Sequence, residues 1–355
     1  MEKLTDIPLA ELTTLRLGGP ARTLLRTTTR QELIDAVREA DRSGEKTLII
    51  AGGSNLVVAD EGVPWAIQVA TRGIERTELA DGRVAVTAEA GEDWDAFVTA
   101  AVADGLVGVE CLAGIPGTVG ATPIQNVGAY GQEVAETITE VLALERASGE
   151  VRALTPEQCG FSYRSSRFKR TETHVVLAVT FALARDDGRG SAPIRYAELA
   201  RKLGVELGER APLAAVREAV LELRRGKGMV LDPDDPDTRS AGSFFTNPIL
   251  GPDEAERLAR LVAERFGDDV SPPFWPQSDG RVKVSAAWLI ERAGFHRGYG
   301  DGRVGLSSKH TLAVINRGGA TTAELVAFAR SIAAGVYEAF GVELMPEPVF
   351  YGHSW

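Results

Sequence analysis

Eighteen residues, Gly114 to Gly131 (GIPGTVGATPIQNVGAYG), constrain what this chain can fold into more than any other stretch. Five of them are Gly, at 114, 117, 120, 128 and 131, with small Ala121 and Ala129 between. Glycine lets backbone pass close to a bound group and adopt positive φ without a Cβ penalty. Pro116 and Pro123 stiffen the run by fixing φ and removing donors. Thr118, Thr122, Gln125, Asn126 and Tyr130 can bond a polar, planar ligand. Flexible linkers are seldom this apolar between their glycines, so we read the segment as a ligand cradle.

The rest of the composition narrows the partners. A chain of 355 residues with 44% hydrophobic and 25% charged residues fits an ordinary globular protein of two or three domains. Its net charge of −11 argues against nucleic acid or an anionic membrane surface, since either needs a basic footprint. Any phosphate bound here must therefore be held by local donors. Two cysteines, Cys111 and Cys159, make neither a disulfide framework nor a metal cluster and point to a reducing compartment. The four His, at 174, 296, 310 and 353, have no ligand spacing, so no metal site is expected. Nothing in MEKLTDIPLAEL reads as a secretion signal and no run approaches membrane-spanning length, which predicts a cytoplasmic protein.

Local patterns predict an α/β chain. Ala21–Thr27 reads as a strand, and Thr29 with Glu32 signs the start of a helix running to about Asp41. The short strand Thr47–Ile50 opens into Gly52-Gly-Ser-Asn-Leu56, which taken alone reads first as a plain β-turn and otherwise as a place where backbone N–H groups can converge on an anion. No G-x-G-x-x-G opens a helix and no P-loop occurs. Val84–Glu89 reads as a strand and Asp93–Ala103 as a helix. Thr139–Glu145 and Val151–Leu154 read as a hairpin joined through Ala147-Ser-Gly149, and His174–Leu183 as a further strand. Helices are predicted over Pro212–Arg224, Asp253–Phe266, Ser285–Ala293 and Thr322–Phe340, with strands over Thr311–Ile315 and Val342–Tyr351. The acidic, Pro-rich run from Asp232 to Asp237 is expected to be a mobile, solvated loop.

Three later stretches carry chemistry. Tyr163-Arg164-Ser165-Ser166 offers an Arg fork that can hold a carboxylate or phosphate. In Ala241-Gly-Ser-Phe-Phe-Thr-Asn-Pro248 the Ser243 hydroxyl precedes two aromatics, outside any G-x-S-x-G elbow. In Leu344-Met-Pro-Glu-Pro-Val349 a carboxyl, Glu347, lies between prolines in an apolar run, where desolvation raises its pKa unless it is paired.

Taken in order, GGSN, PIQNVGAYG, YRSSRF, GSFFTNP and the terminal PEP closely resemble the UDP-N-acetylenolpyruvoylglucosamine reductases, from Thr14 to Tyr351. PIQNVGAYG and GSFFTNP are the specific motifs. The resemblance implies a three-domain α/β (α+β) flavoenzyme of the FAD-linked oxidase (PCMH-type FAD-binding) class. Residues 1–70 would form one FAD-binding subdomain, completed by the terminal strand 345–355. Residues 71–224 would form a second, and 225–344 a C-terminal α/β substrate domain. FAD, held non-covalently, would lie between the first two. Gly52, Gly53, Ser54, Asn55 and Leu56 would meet its pyrophosphate; Thr122, Pro123, Ile124, Gln125, Asn126, Gly128, Ala129 and Tyr130 would line the rest. Arg164 matches the family's active-site Arg, Ser243 its proton donor and Glu347 its active-site carboxylate. Lys227 and Asn247 match substrate-binding positions, beside Tyr163.

The implied reaction is NADPH-dependent reduction of enolpyruvyl-UDP-GlcNAc to UDP-N-acetylmuramate for peptidoglycan, in a monomer with no nucleic-acid or membrane partner. Longer family members carry a Tyr on a mobile segment over the nucleotide. Tyr196 resembles it, although its surroundings match poorly. Trp275 stands where a Tyr is common, and its indole can stack but only donates a hydrogen bond. The alternatives are another FAD-linked oxidase or dehydrogenase of this fold, or a non-catalytic nucleotide-binding regulator. The first is weakened because the cradle holds no His or Cys for covalent flavin attachment, the second by the intact Arg164, Ser243 and Glu347.

Overall fold

The computed structural model describes residues 1–355 and resolves them into two compact units. The first comprises Met1–Leu12, Gly19–Gly53 and Gly62–Leu231; the second comprises Thr13–Gly18, Ser54–Glu61 and Asp232–Trp355.

In the first unit a four-stranded sheet runs in the order Glu2–Pro8, Pro20–Thr27, Val63–Val69, Thr47–Ile50, antiparallel at its first pair and parallel thereafter. The helix Arg30–Ser43 provides the crossover. Thr29 caps it in a reciprocal box with Glu32, and Gly44 closes it in the left-handed region, at φ 70°. An antiparallel sheet follows in the order Glu150–Leu154, Ile138–Glu145, His174–Arg185, Val84–Glu89, Ile74–Glu78, with Leu106–Val107 pairing at the end of the long strand. The hairpin at its edge turns through residues 146–149, as the Ser-Gly pair predicts, and Gly149 donates to the Glu145 carbonyl at 2.8 Å. Between the helices and this sheet lies a core in which Trp94 stacks on Phe97 and both meet Phe181 at a tilt, with centroids 5.0–5.8 Å apart.

The second unit is built around the helix Thr322–Phe340, packed with Ala286–Arg292 and Pro252–Phe266 on Phe244, Phe245, Leu306 and Val314. Its two early segments are fastened by polar side chains. Buried Asn316 donates to the carbonyls of Leu15 and Arg16 at 3.0 and 3.2 Å and accepts from Gly318. Asp60 accepts from the first amides of the long helix, Thr322 and Ala323, at 2.7 and 3.0 Å. A carboxylate suits the positive end of a helix dipole there.

Three expectations are corrected. The terminal strand is Val349–Tyr351, not Val342–Tyr351, and it pairs in parallel with Leu56–Val58. Pro346 and Pro348 lack the amides a longer ladder needs, so Glu347 lies in the irregular approach to the strand rather than within it. The strand expected over Thr311–Ile315 is Val314–Asn316, because Ser307 and His310 take the preceding residues into a tight turn. The acidic run is pinned rather than solvated. Asp237 is buried and accepts from the Ser308 amide at 3.0 Å, and Asp235 pairs with Lys309.

Candidate active site

In the first unit two loops meet backbone to backbone. A Cβ built on Gly52 would stand 2.6 Å from Gly117 Cα and 3.0 Å from its carbonyl carbon. Gly120 is pressed equally hard on Ala90, where a Cβ would meet the Ala90 Cβ at 2.4 Å. Hydrogen bonds hold the cradle there: Trp94 donates to Gly117, Val119 to Glu92 and Gly120 to Ala90, at 2.9–3.1 Å. The run that the glycines singled out is thus fixed to the end of the strand Val84–Glu89 and the start of the helix Trp94–Ala103.

Its polar side chains divide in two. Some face inward: Thr122 donates to the Val119 carbonyl at 2.8 Å. Asn126 is buried at φ 45° and donates to Glu133 at 2.7 Å and to the Ser162 carbonyl, while accepting from the Ala135 amide. Those two side chains shape the loop and leave mainly backbone for a ligand. Thr118, by contrast, has a buried hydroxyl with no hydrogen-bond partner at all. An unsatisfied buried hydroxyl costs about 1–3 kcal/mol, so it marks a place where a missing group belongs.

The Tyr163–Ser166 stretch is brought directly onto this cradle. Ser162 and Ser165 exchange backbone hydrogen bonds at 3.0 and 3.1 Å, closing a tight turn with Arg164 at φ 50°. A positive φ at a non-glycine residue is uncommon and worth a functional question. The Arg164 guanidinium donates to the Gly128 carbonyl at 2.6 Å, packs beside Tyr163, and Ser166 donates to Ile124 at 2.6 Å.

A second cluster forms where Tyr130 leaves the cradle, also with a positive φ, 49°. The Tyr196 ring meets Tyr130 edge-on at 5.4 Å, and the Lys227 ammonium lies 5.5 Å from the Tyr130 centroid. Tyr196 is the N-cap of the helix Ala197–Leu203 but makes no capping bond, so its ring serves the cluster instead. Lys227 is ion-paired to Glu198 at 2.6 Å. Burial is the largest single influence and disfavours the Lys227 charge, but the Glu198 hydrogen bond together with the electrostatic pull of Tyr130, Glu198 and Tyr196 outweighs it, and the lysine pKa ends above its ordinary value. Burial raises the Tyr130 phenol, so it stays protonated at neutral pH. Arg224 lies beside them in the last turn of Leu213–Arg225, donating to Met229 at 2.8 Å with its Nε unpartnered. Burial holds Arg224 down to about 10, which still leaves it charged at neutral pH. In the sequence Thr118 reads only as a polar loop side chain, and Glu198 and Arg224 carry no signal at all. Arg224 looks like any basic residue closing a helix.

In the second unit Ser243 and Glu347 are placed on adjacent segments. The Glu347 amide donates to the Phe244 carbonyl at 2.8 Å, Thr246 donates to Met345 at 3.0 Å, and Phe245 bridges Pro346. Phe244 and Phe245 are buried against Trp355 with centroids about 6 Å away, which fixes the backbone on which Ser243 stands. Asn247 accepts from the Ala286 amide at 3.0 Å and thereby orients its own amide group. Trp275 stands apart from this group. It is 45% exposed on the strand Phe274–Pro276 and faces only Lys283 across the ladder. Ser54, Asn55 and Leu56 belong to this unit, with the Asn55 carbonyl accepting from Val349 at 3.0 Å. The GGSN motif therefore changes units after Gly53.

Residues 234–351 match the family described as UDP-N-acetylenolpyruvoylglucosamine reductase, C-terminal domain, and residues 21–155 match an FAD binding domain. A UDP-N-acetylenolpyruvoylglucosamine reductase of Thermobifida fusca is 58% identical over 98% of this chain and 97% of its own length. That of Streptomyces coelicolor is 59% identical over 99% and 91%. The crystal structure of the Thermus caldophilus reductase superposes with a TM-score of 0.63 at 24% identity, covering 99% of this chain and 98% of that one.

Proposed function

This chain belongs to the UDP-N-acetylenolpyruvoylglucosamine reductase family, and from that membership we propose how its own residues carry out the reaction. It is an FAD-dependent oxidoreductase that uses NADPH to reduce enolpyruvyl-UDP-GlcNAc to UDP-N-acetylmuramate, a peptidoglycan precursor. The residues of the first unit fit FAD. Gly52 and Gly117 let the two loops close on each other backbone to backbone, and the orphaned Thr118 hydroxyl next to that contact offers a donor. The subdomains at 1–70 and 71–224 would share its binding, through Gly52 and Gly53 on one side and residues 122–130 on the other. Bound FAD supplies the hydride that reaches the methylene carbon of the enolpyruvyl group.

The remaining chemistry falls to side chains. As hydride arrives at the methylene carbon, negative charge spreads from the neighbouring carbon into the substrate carboxylate. Arg164, held at Gly128, stabilises that charge, and Glu347 adds a donor or a proton relay. Ser243 delivers the proton to the carbon that bears the ether oxygen. A hydroxyl is a poor acid in water, so it acts only against a strongly basic centre fixed close by. Lys227, Tyr196 and Asn247 bind the nucleotide part of the substrate. The observation that carries this reading is the hydrogen bond of the Glu347 backbone to the residue after Ser243, which sets an acid and a carboxyl on neighbouring segments. The proposal extends to a monomer in the cytoplasm; the charge of −11 supports the exclusion of nucleic acid.

The purified protein is expected to be yellow, to bleach with NADPH and to recover its colour on adding enolpyruvyl-UDP-GlcNAc. A flavin-free protein, or bleaching with no response to that substrate, would overturn the reading. Thr118→Val tests the cofactor fit separately. Chemical denaturation of the flavin-free protein should show equal or greater stability, whereas FAD titration should show binding weakened by roughly three- to tenfold. Unchanged FAD affinity would assign the hydroxyl to something else.

A further inference from the structure

We propose that Glu198 is an internal stand-in for the substrate's phosphate, holding Lys227 in the ligand-free protein and giving it up when a phosphate-bearing ligand arrives. This rests on the reading of Lys227 as a nucleotide contact. The ion pair is close, 2.6 Å between Nζ and Oε2, yet both side chains keep about a third of their surface in water, 29% and 36%. Pairs so placed contribute little and can open at low cost. The ammonium also lies 5.5 Å from the centre of the Tyr130 ring, a second contact that opening the ion pair leaves in place.

Glu198 is the mobile partner. It lies in the first turn of a seven-residue helix whose N-cap, Tyr196, is 43% exposed and meets Tyr130 only edge-on. A rotation of Glu198 toward water uncovers a cation beside two phenols, with the buried charge of Arg224 also acting on Tyr130. Such a constellation recognises a phosphate attached to a flat base, because the rings take the base and the ammonium takes the anion. Glu198 then makes the site selective. A neutral ligand cannot compensate the loss of the carboxylate, whereas a phosphate replaces it charge for charge.

The test uses the FAD-loaded enzyme and Glu198→Gln, which keeps the shape and a weaker hydrogen bond but removes the charge. KM for the UDP-sugar, and the Kd of UDP, should fall roughly three- to tenfold while kcat changes much less. The affinity of uridine, which has no phosphate, should not change. If only NADP+ tightens, the phosphate exchanged is the coenzyme's. If only UDP does, it is the substrate's. Only the second outcome supports the proposal; the first overturns the assignment to the substrate. In a Lys227→Met background the Glu198→Gln change should have no further effect on phosphate ligands. Weaker or unchanged binding of both UDP and NADP+ in Glu198→Gln overturns the proposal and makes Glu198 a simple support for Lys227. If Lys227→Met alone leaves both affinities unaltered, the failure lies in the assignment of Lys227.

Discussion

Ser243→Ala should separate the two halves of the catalytic cycle, slowing oxidation of the reduced enzyme by enolpyruvyl-UDP-GlcNAc about 10²–10⁴-fold, the usual range for losing a positioned general acid. Reduction of the bound flavin by NADPH should stay within about a factor of two, since neither the proton nor the hydroxyl takes part in it. The substitution is mild for the fold. Ser243 is only partly buried, no hydrogen bond engages its hydroxyl, and its backbone is anchored by the neighbouring aromatics rather than by its own side chain. Stopped-flow absorbance of the flavin measures both steps on one sample. Equal losses in the two would remove Ser243 from proton transfer and make it a packing or binding residue. A Cys at this position, with its more acidic proton, should restore part of the lost rate. Ser243→Ala and Ser243→Cys reacting at the same rate would likewise count against the assignment.

The second large effect is expected from one added methyl group. Gly52→Ala would drive a Cβ to 2.6 Å from Gly117 Cα, a distance that real Cβ atoms do not adopt. No flexible side chain stands in the way that could swing aside; the obstacle is backbone. Gly117 in turn is tied to Trp94, whose ring lies in the first core, so the loop cannot retreat without disturbing packing. Overpacking of this kind costs about 1–3 kcal/mol in the fold, but the larger loss should be cofactor. The protein should purify with little or no flavin and bind added FAD at least about 100-fold more weakly, as two backbones forced apart no longer present converging donors. Gly302→Ala is the control. Its Cβ would meet nothing within 4 Å and its φ is ordinary. Equal flavin content in the two variants, read from the ratio of visible to ultraviolet absorbance, would show that the Gly52–Gly117 contact is irrelevant to the cofactor.

Much of this site is visible in the sequence because its signals are local. The Thr29 and Glu32 capping box, the glycine spacing from 114 to 131 and the helix Thr322–Phe340 all rest on residues close in sequence, and each appears where the pattern places it. Pairings over long range are not visible in that way. Glu2–Pro8 is mostly exposed and carries no alternation, so it becomes a strand only because Pro20–Thr27 is beside it. Glu198 reads as an ordinary helical glutamate until Lys227, 29 positions later, is folded against it. The division of GGSN between units is likewise set by a remote partner, the terminal strand at 349–351. The acidic run reads as a solvated loop for the same reason: Ser308 and Lys309, some seventy positions away, supply the groups that order it.

The way the second unit collects its pieces also bears on the order of events at the ribosome. Leu56–Val58 emerges early, but its only sheet neighbour, Val349–Tyr351, follows about 290 residues later, and Asp60 waits almost as long for the helix it caps. At about 5–20 residues per second this delay lasts roughly 15–60 s. Throughout that interval the nascent chain carries an apolar strand with an open edge, Leu-Val-Val, which is the sort of segment a holding chaperone would occupy until synthesis is nearly done.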